Sequence, residues 1–174
     1  MISGSVVHTL TMSTYPTSTD EQLRLSMQVL RQFRMVFGEV RQHFQDVERQ
    51  VGIGGAQLWA LSEIAREPGL GVTDLALQMD IHQSTASNLV RHLLQKGLVV
   101  SQRSEHDRRN VVLSPTASGH ALLASAPGPH EGVLPGALQR LSPEALQQLH
   151  AHLSQLLQQL QPDQRTARLP LAEL

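Results

Sequence analysis

Between Leu23 and Val51 the apolar residues Leu23, Met27, Leu30, Phe33, Phe37, Val40, Phe44, Val47 and Val51 recur in steps of three or four. Such steps place them on one face of a helix. At ~1.5 Å per residue that helix is roughly 45 Å long, too long for a small compact domain to cover. A second copy of the chain is the simplest cover. Asp20 is placed to cap its start and Gly52 to stop it. A second stripe, Leu146, Leu149, Leu153, Leu156 and Leu160, lies near the other end. In front of it, Ser142 is the cap, Pro143 suits the first turn, and Glu144 favours the positive end of the helix dipole. Pro162 ends it. The fold must therefore hold a compact middle between two amphipathic helices.

That middle reads as helix, helix, turn, helix, hairpin. A short helix follows Gly54-Gly55, with Leu58, Leu61 and Ile64 facing inward, and Pro68-Gly69 ends it. Val72 to Met79 is the next helix. Asp80 sits in the turn, since Asp tolerates left-handed backbone better than most residues. The helix from His82 to Lys96 stops at Gly97, a suitable residue just past a helix end. Leu98-Val99-Val100 and Val111-Val112-Leu113 then form two strands around the polar run Ser101 to Asn110, a hairpin with a protruding tip. Pro115 predicts that the second strand ends at Ser114. A further helix starts near Thr116 and is broken at Pro127-Gly128-Pro129. The fold class is thus mostly α with a small β-hairpin wing: a winged helix-turn-helix flanked by N- and C-terminal dimerisation helices.

Composition removes several function classes. The chain has 174 residues, 40% of them hydrophobic and 17% charged, so a real core is available. Aromatics are 3%, so that core is aliphatic. Cysteine is absent, which excludes disulfides, thiolate metal sites, a cysteine nucleophile and a thiol redox switch. The longest apolar runs are four residues, Leu58 to Leu61 and Ala121 to Ala124, whereas a spanning helix needs about 20. With no basic start or apolar leader, the sequence predicts a soluble, cytoplasmic protein. Nothing in it matches a nucleophile elbow, a phosphate loop or a carboxylate pair, so no enzyme and no cofactor are expected. The nine histidines show no HExxH spacing, and no metal site is expected.

Charge is informative only locally. Between His82 and Asn110 five cations face two anions, giving +3 and leaving −4 for the rest of a chain whose net charge is −1. Within that segment the 82–96 helix has two faces. Ala86, Leu89, Val90 and Leu93 face inward; Ser84, Asn88, Arg91 and Gln95 face out, flanked by Thr85, Ser87 and His92, and Gln83 at the helix start joins the candidate DNA contacts. Small and planar polar side chains suit base edges: Asn pairs with adenine and Arg with guanine through two bonds each. A B-form major groove admits one helix, and a wing reaches the backbone or the adjacent groove. In the hairpin, Arg103, Arg108 and Arg109 are the cations, and Asp107 is placed to hold a guanidinium. An Arg inserted in a narrow minor groove meets enhanced negative potential.

These residues support a resemblance. Gly54-Gly55-Ala56-Gln57-Leu58-Trp59-Ala60-Leu61, Val72-Thr73-Asp74-Leu75-Ala76, Ser84-Thr85-Ala86-Ser87-Asn88-Leu89-Val90, Lys96-Gly97-Leu98-Val99, Asp107-Arg108-Arg109 and Gly119 together resemble the MarR family of bacterial transcriptional regulators. The resemblance implies a homodimer built by the terminal helices and a pseudo-palindromic double-stranded DNA operator. It implies that Arg109 enters the minor groove and that Asp107 orients it, while Arg108 and Arg103 meet phosphate. It also implies a small anionic aromatic ligand between the dimer helices and the DNA-binding lobe, for which Arg34, His43 and Trp59 are candidates. The sequence departs from the family pattern at His82, where a Ser-like cap is usual, at Asp80, where Gly is frequent, and at Pro115. The resulting organisation is a loose arm (1–19), a dimerisation helix (20–52), the winged helix-turn-helix (53–115), dimerisation helices (116–161) and a frayed tail (162–174). Two other readings stand beside it: a helical dimer whose winged helix binds protein, and a metal-responsive regulator.

Overall fold

The computed structural model describes residues 18–103 and 111–173. Contacts divide the chain into two compact units, Met1–Phe37 and Gly38–Leu174. The first helix, α1 (Ser18–Val51), begins two residues before the expected cap, so Asp20 and Glu21 lie in its first turn, where the helix dipole favours acids. In the first unit its apolar side chains stay in water: Leu23, Met27 and Phe37 are all more than half exposed. Phe33 and Phe37 stack one turn apart, ring centres 6.1 Å from each other.

The second unit carries α2 (Gly55–Arg66), α3 (Val72–Gln78), α4 (Gln83–Gln95), β1 (Val99–Arg103), β2 (Val111–Pro115), α5 (Ala117–Ser125), α6 (Val133–Gln139) and α7 (Pro143–Leu160). This is the mostly helical winged helix-turn-helix expected. Its core is aliphatic, built around Leu58, Leu61, Ile64, Leu75, Leu93, Val99 and Leu113, with Val47 from α1. Among the described residues no polar or charged residue is buried as a whole. Each fully buried Leu contributes roughly 1.5–3 kcal/mol, and these side chains come from α2, α3, α4 and both strands. Local signals set the joints. Asp80 takes φ +50° between α3 and α4, and Gly97 takes φ +67° after α4. Thr116 caps α5 by accepting the Gly119 N–H at 3.0 Å.

The wing base is a two-stranded antiparallel sheet in which Val99 pairs with Pro115 and Arg103 with Val111. Here the expectation for Pro115 is corrected: the strand does not stop at Ser114. The Leu113 N–H points away from β1, to the Leu70 carbonyl at 3.0 Å, while Thr116 N–H bonds Leu98 on the β1 side. The alternation of a strand aims the Pro115 nitrogen away from β1 as well, so its missing N–H costs no rung of the ladder. Leu70 pairs on the far side of β2 as an isolated bridge. It ties the segment before α3 directly to the wing.

α5, grouped by its sequence with the flanking helices, packs instead on the core through Leu122 and Leu123. A Cβ on Gly119 would lie 2.2 Å from the Leu98 carbonyl oxygen, so only glycine lets α5 approach the wing base this closely. Gly55 has a similar role under the Phe44 ring, 2.1 Å from a hypothetical Cβ. On α7 the expected cap is present, with Ser142 Oγ accepting the Ala145 N–H at 3.2 Å. The α7 stripe is wet, with Leu146, Leu153, Leu156 and Leu160 all exposed. The tail is not frayed. It forms two 3₁₀ turns, Gln164–Arg168 and Leu171–Glu173, with Pro170 buried and Ala172 against the core. Among the described residues no helix is long and apolar enough to cross a membrane.

Candidate nucleic-acid interface

The two faces of α4 separate as its pattern requires. Ala86, Leu89, Val90 and Leu93 are buried. Gln83, Ser84, Asn88 and Arg91 are exposed, and Thr85 and Ser87 are half-buried. The exposed side chains are partly ordered by one another. Asn88 Oδ1 accepts from Arg91 Nη1 at 2.9 Å, which orients the guanidinium one turn along the helix. Gln83 Nε2 donates to Thr73 Oγ1 at 3.1 Å, joining the first turns of α3 and α4. Ser87 Oγ donates to the Gln83 carbonyl at 2.8 Å, leaving its lone pairs free to accept.

From Gln83 to Arg103 there is no carboxylate, and the cations are Arg91, Lys96 and Arg103. They do not act alike. Lys96 Nζ donates to the Gly52 carbonyl at 3.3 Å, where it meets the negative end of α1. Arg91 and Arg103 remain exposed, on α4 and at the tip end of β1. Asp107, Arg108 and Arg109 lie outside the described residues. β1 and β2 define where their segment leaves and returns, at Arg103 and Val111.

The start of α4 is unusual. His82 occupies the cap position with extended backbone, but its side chain makes no capping bond. Its Nε2 is buried without a partner. First-turn N–H groups with no side-chain cap suit a phosphate oxygen. Thr73 is the contact the sequence pattern did not single out, since a hydroxyl in a first turn carries no periodic signature. Gln57 is a second, with Nε2 lying 3.5 Å from His92 Nδ1.

Two of the three candidate ligand residues, His43 and Trp59, belong to the second unit. Trp59 lines a cleft of about 180 Å³ together with Phe44, Met79, Ile81, Asp80 and Glu131. Its Nε1 donates to Glu63 Oε1 at 3.0 Å. His43 sits edge-on to Phe44, is absent from the cleft lining, and leaves Nε2 buried and unpartnered. Arg34 belongs to the first unit. Among the described residues no three His, Asp or Glu side chains converge as a metal site.

Comparison with known proteins covers the same stretch. Residues 51–110 match the sequence profile of the MarR family. The chain is 30% identical over 122 residues to the organic hydroperoxide resistance transcriptional regulator of Bacillus subtilis (strain 168), covering 70% of this chain and 82% of that relative. It is 34% identical over 84 residues to a Thauera aromatica protein assigned to regulation of the hcr operon, covering 48% of this chain. The chain spans about half of that relative's length, 51%. Among solved structures, the complex of Staphylococcus aureus MepR with DNA matches with a TM-score of 0.53 and 26% identity, over 75% of this chain and 96% of that one. Both sequence relatives are regulators, in keeping with the reading against an enzyme. With the family profile on its helix-turn-helix, a relative matched over four-fifths of its length and a shared fold, the chain belongs to the MarR family of transcriptional regulators.

Proposed function

We propose that the protein is a homodimeric repressor that binds a pseudo-palindromic double-stranded DNA operator and releases it when a small aromatic ligand binds. One observation carries the DNA reading: the exposed face of α4 is polar and free of carboxylates, and its buried face locks it to the core beside the wing. Ser84, Thr85, Ser87, Asn88 and Arg91 supply base or phosphate contacts, with Gln83 at the helix start. Arg103 and Arg108 meet phosphate, and Arg109, held by Asp107, enters the minor groove. The DNA-bound state of the MepR structure supports this reading. The dimer is supported by the two wet stripes, on α1 and α7. A bound dimer occupies the duplex it grips, and repression is the simplest result.

For the ligand, Trp59 and the cleft are retained. Among the described residues Asp80 and Glu131 are its charged lining residues, with no cation. An uncharged or cationic aromatic therefore fits this cleft better than the anionic one expected from the resemblance. Such a ligand relieves repression only by favouring the conformation that binds DNA poorly.

Anisotropy titration of duplexes from around the gene tests the DNA reading. Affinity is expected to fall linearly in log–log terms with salt, as counterion release requires. Arg109→Ala is expected to weaken operator binding by roughly 1–3 kcal/mol with unchanged thermal unfolding. No bound duplex at low salt would instead favour a winged helix that binds protein.

A further inference from the structure

The sequence predicts a frayed C-terminal segment, yet the segment packs against α2 and reaches the cap residue of the recognition helix. Pro170 is buried and Ala172 packs against the core. Ala167, Leu169, Pro170, Leu171 and Ala172 line the Trp59 cleft together with Met79, Asp80 and Ile81, the turn between α3 and α4. The segment also reaches α4 itself: the His82 N–H donates to the Arg168 carbonyl at 3.3 Å. His82 is the cap residue whose side chain gives α4 no capping bond. The backbone of the tail therefore holds the cap residue in place from outside the helix-turn-helix.

We propose that residues 164–173 form a strap that positions the recognition helix and couples it to the cleft. This rests on reading α4 as the DNA-binding helix. The strap and the α3–α4 turn face the same small space. An occupant of the cleft therefore presses on both, and whatever lifts the strap withdraws the bond at His82. Pro170 suits this role because its ring fixes φ and lowers the entropy lost on docking. Ala172 suits it because its methyl is partly buried against the core, where a charged side chain would be desolvated.

The chain has one tryptophan, and it lines the cleft, so the strap carries its own optical reporter. Ala172→Asp in the full-length protein is expected to shift Trp59 emission to the red and raise its quenching by acrylamide. It is also expected to weaken operator binding by about tenfold, equivalent to ~1.4 kcal/mol, while sedimentation still shows the wild-type oligomer. Leu169→Asn, at a more exposed strap position, is the milder variant should Ala172→Asp fail to fold, with the same changes expected in smaller measure. Unchanged Trp59 emission in a folded variant would show that the strap does not cover the cleft. Shifted emission with wild-type operator affinity would show that the strap is docked but uncoupled. Either result overturns the proposal. A wild-type protein that binds no duplex defeats the DNA-binding reading itself, and the coupling with it, an outcome separable from both because it appears before any substitution is made.

Discussion

Gly119 shows how one missing side chain sets the shape of the wing base. In an ordinary helix interior, alanine is favoured over glycine by about 1 kcal/mol. Here a Cβ would come within 2.2 Å of the Leu98 carbonyl oxygen, and that oxygen already accepts the Thr116 N–H. Backbone rather than a flexible side chain must yield, so Gly119→Ala is expected to destabilise the fold by roughly 1–3 kcal/mol, read as a lower urea midpoint. A midpoint at or above wild type would show that α5 can back away. Glu144 supports a pH prediction. Its own backbone N–H and the Ser142 hydroxyl hold its carboxyl below the ordinary carboxylate range. A carboxylate favoured in the folded state stabilises above its unfolded pKa, and that contribution is lost as pH falls through the lowered folded value. The first turn of α7 should therefore loosen on acidification, visible in the helical carbon shift of Ala145. Glu144→Gln should abolish this pH dependence; a variant as sensitive as wild type would assign it elsewhere. The Ser142-Pro143-Glu144 start was legible in advance because capping is local chemistry. Asp80 was legible for the same reason.

Elements were legible where a period runs long enough to be counted, and obscure where tertiary direction decides. The stripes of α1 and α7 and the two faces of α4 follow from spacing alone. Pro115 did not, because a strand's hydrogen-bonding side is not written in its residue types; the Leu70–Leu113 bridge and the Thr116–Leu98 bond show that its nitrogen faces away from β1. The 164–173 strap has no period, and its anchors are one proline and one alanine. His43 and Trp59 share chemical suitability for an aromatic ligand, which carries no information about whether both line one cleft. The α7 stripe leads to an element-scale prediction. The buried core draws on α2 to α4, the wing and Val47, with no residue from α7. Leu153→Asp is therefore expected to convert a dimer to a monomer in sedimentation at micromolar concentration, while the winged-helix core still unfolds cooperatively. A dimer that survives the substitution would place the interface elsewhere.

For the whole molecule, the proposed function divides between what reads DNA and what spaces the readers. In a symmetric dimer the two recognition helices should meet major grooves about one turn, roughly 10 bp, apart. Inserting about 5 bp at the centre of the operator puts the half-sites on opposite sides of the duplex and should reduce binding to that of a single half-site. Equal affinity for both spacings would mean that the subunits bind independently. The Leu70 bridge bears on this division. It stitches the strand pair to the chain just ahead of α3, so the hairpin cannot swivel without dragging the helical pair along. On the proposed function, base preference would thereby reside in a stiff reading head. On the proposed function, an effector would then act on the angle at which each head is offered to the groove. Mutations that alter which letters are recognised and mutations that alter inducibility should consequently fall in separate parts of the chain.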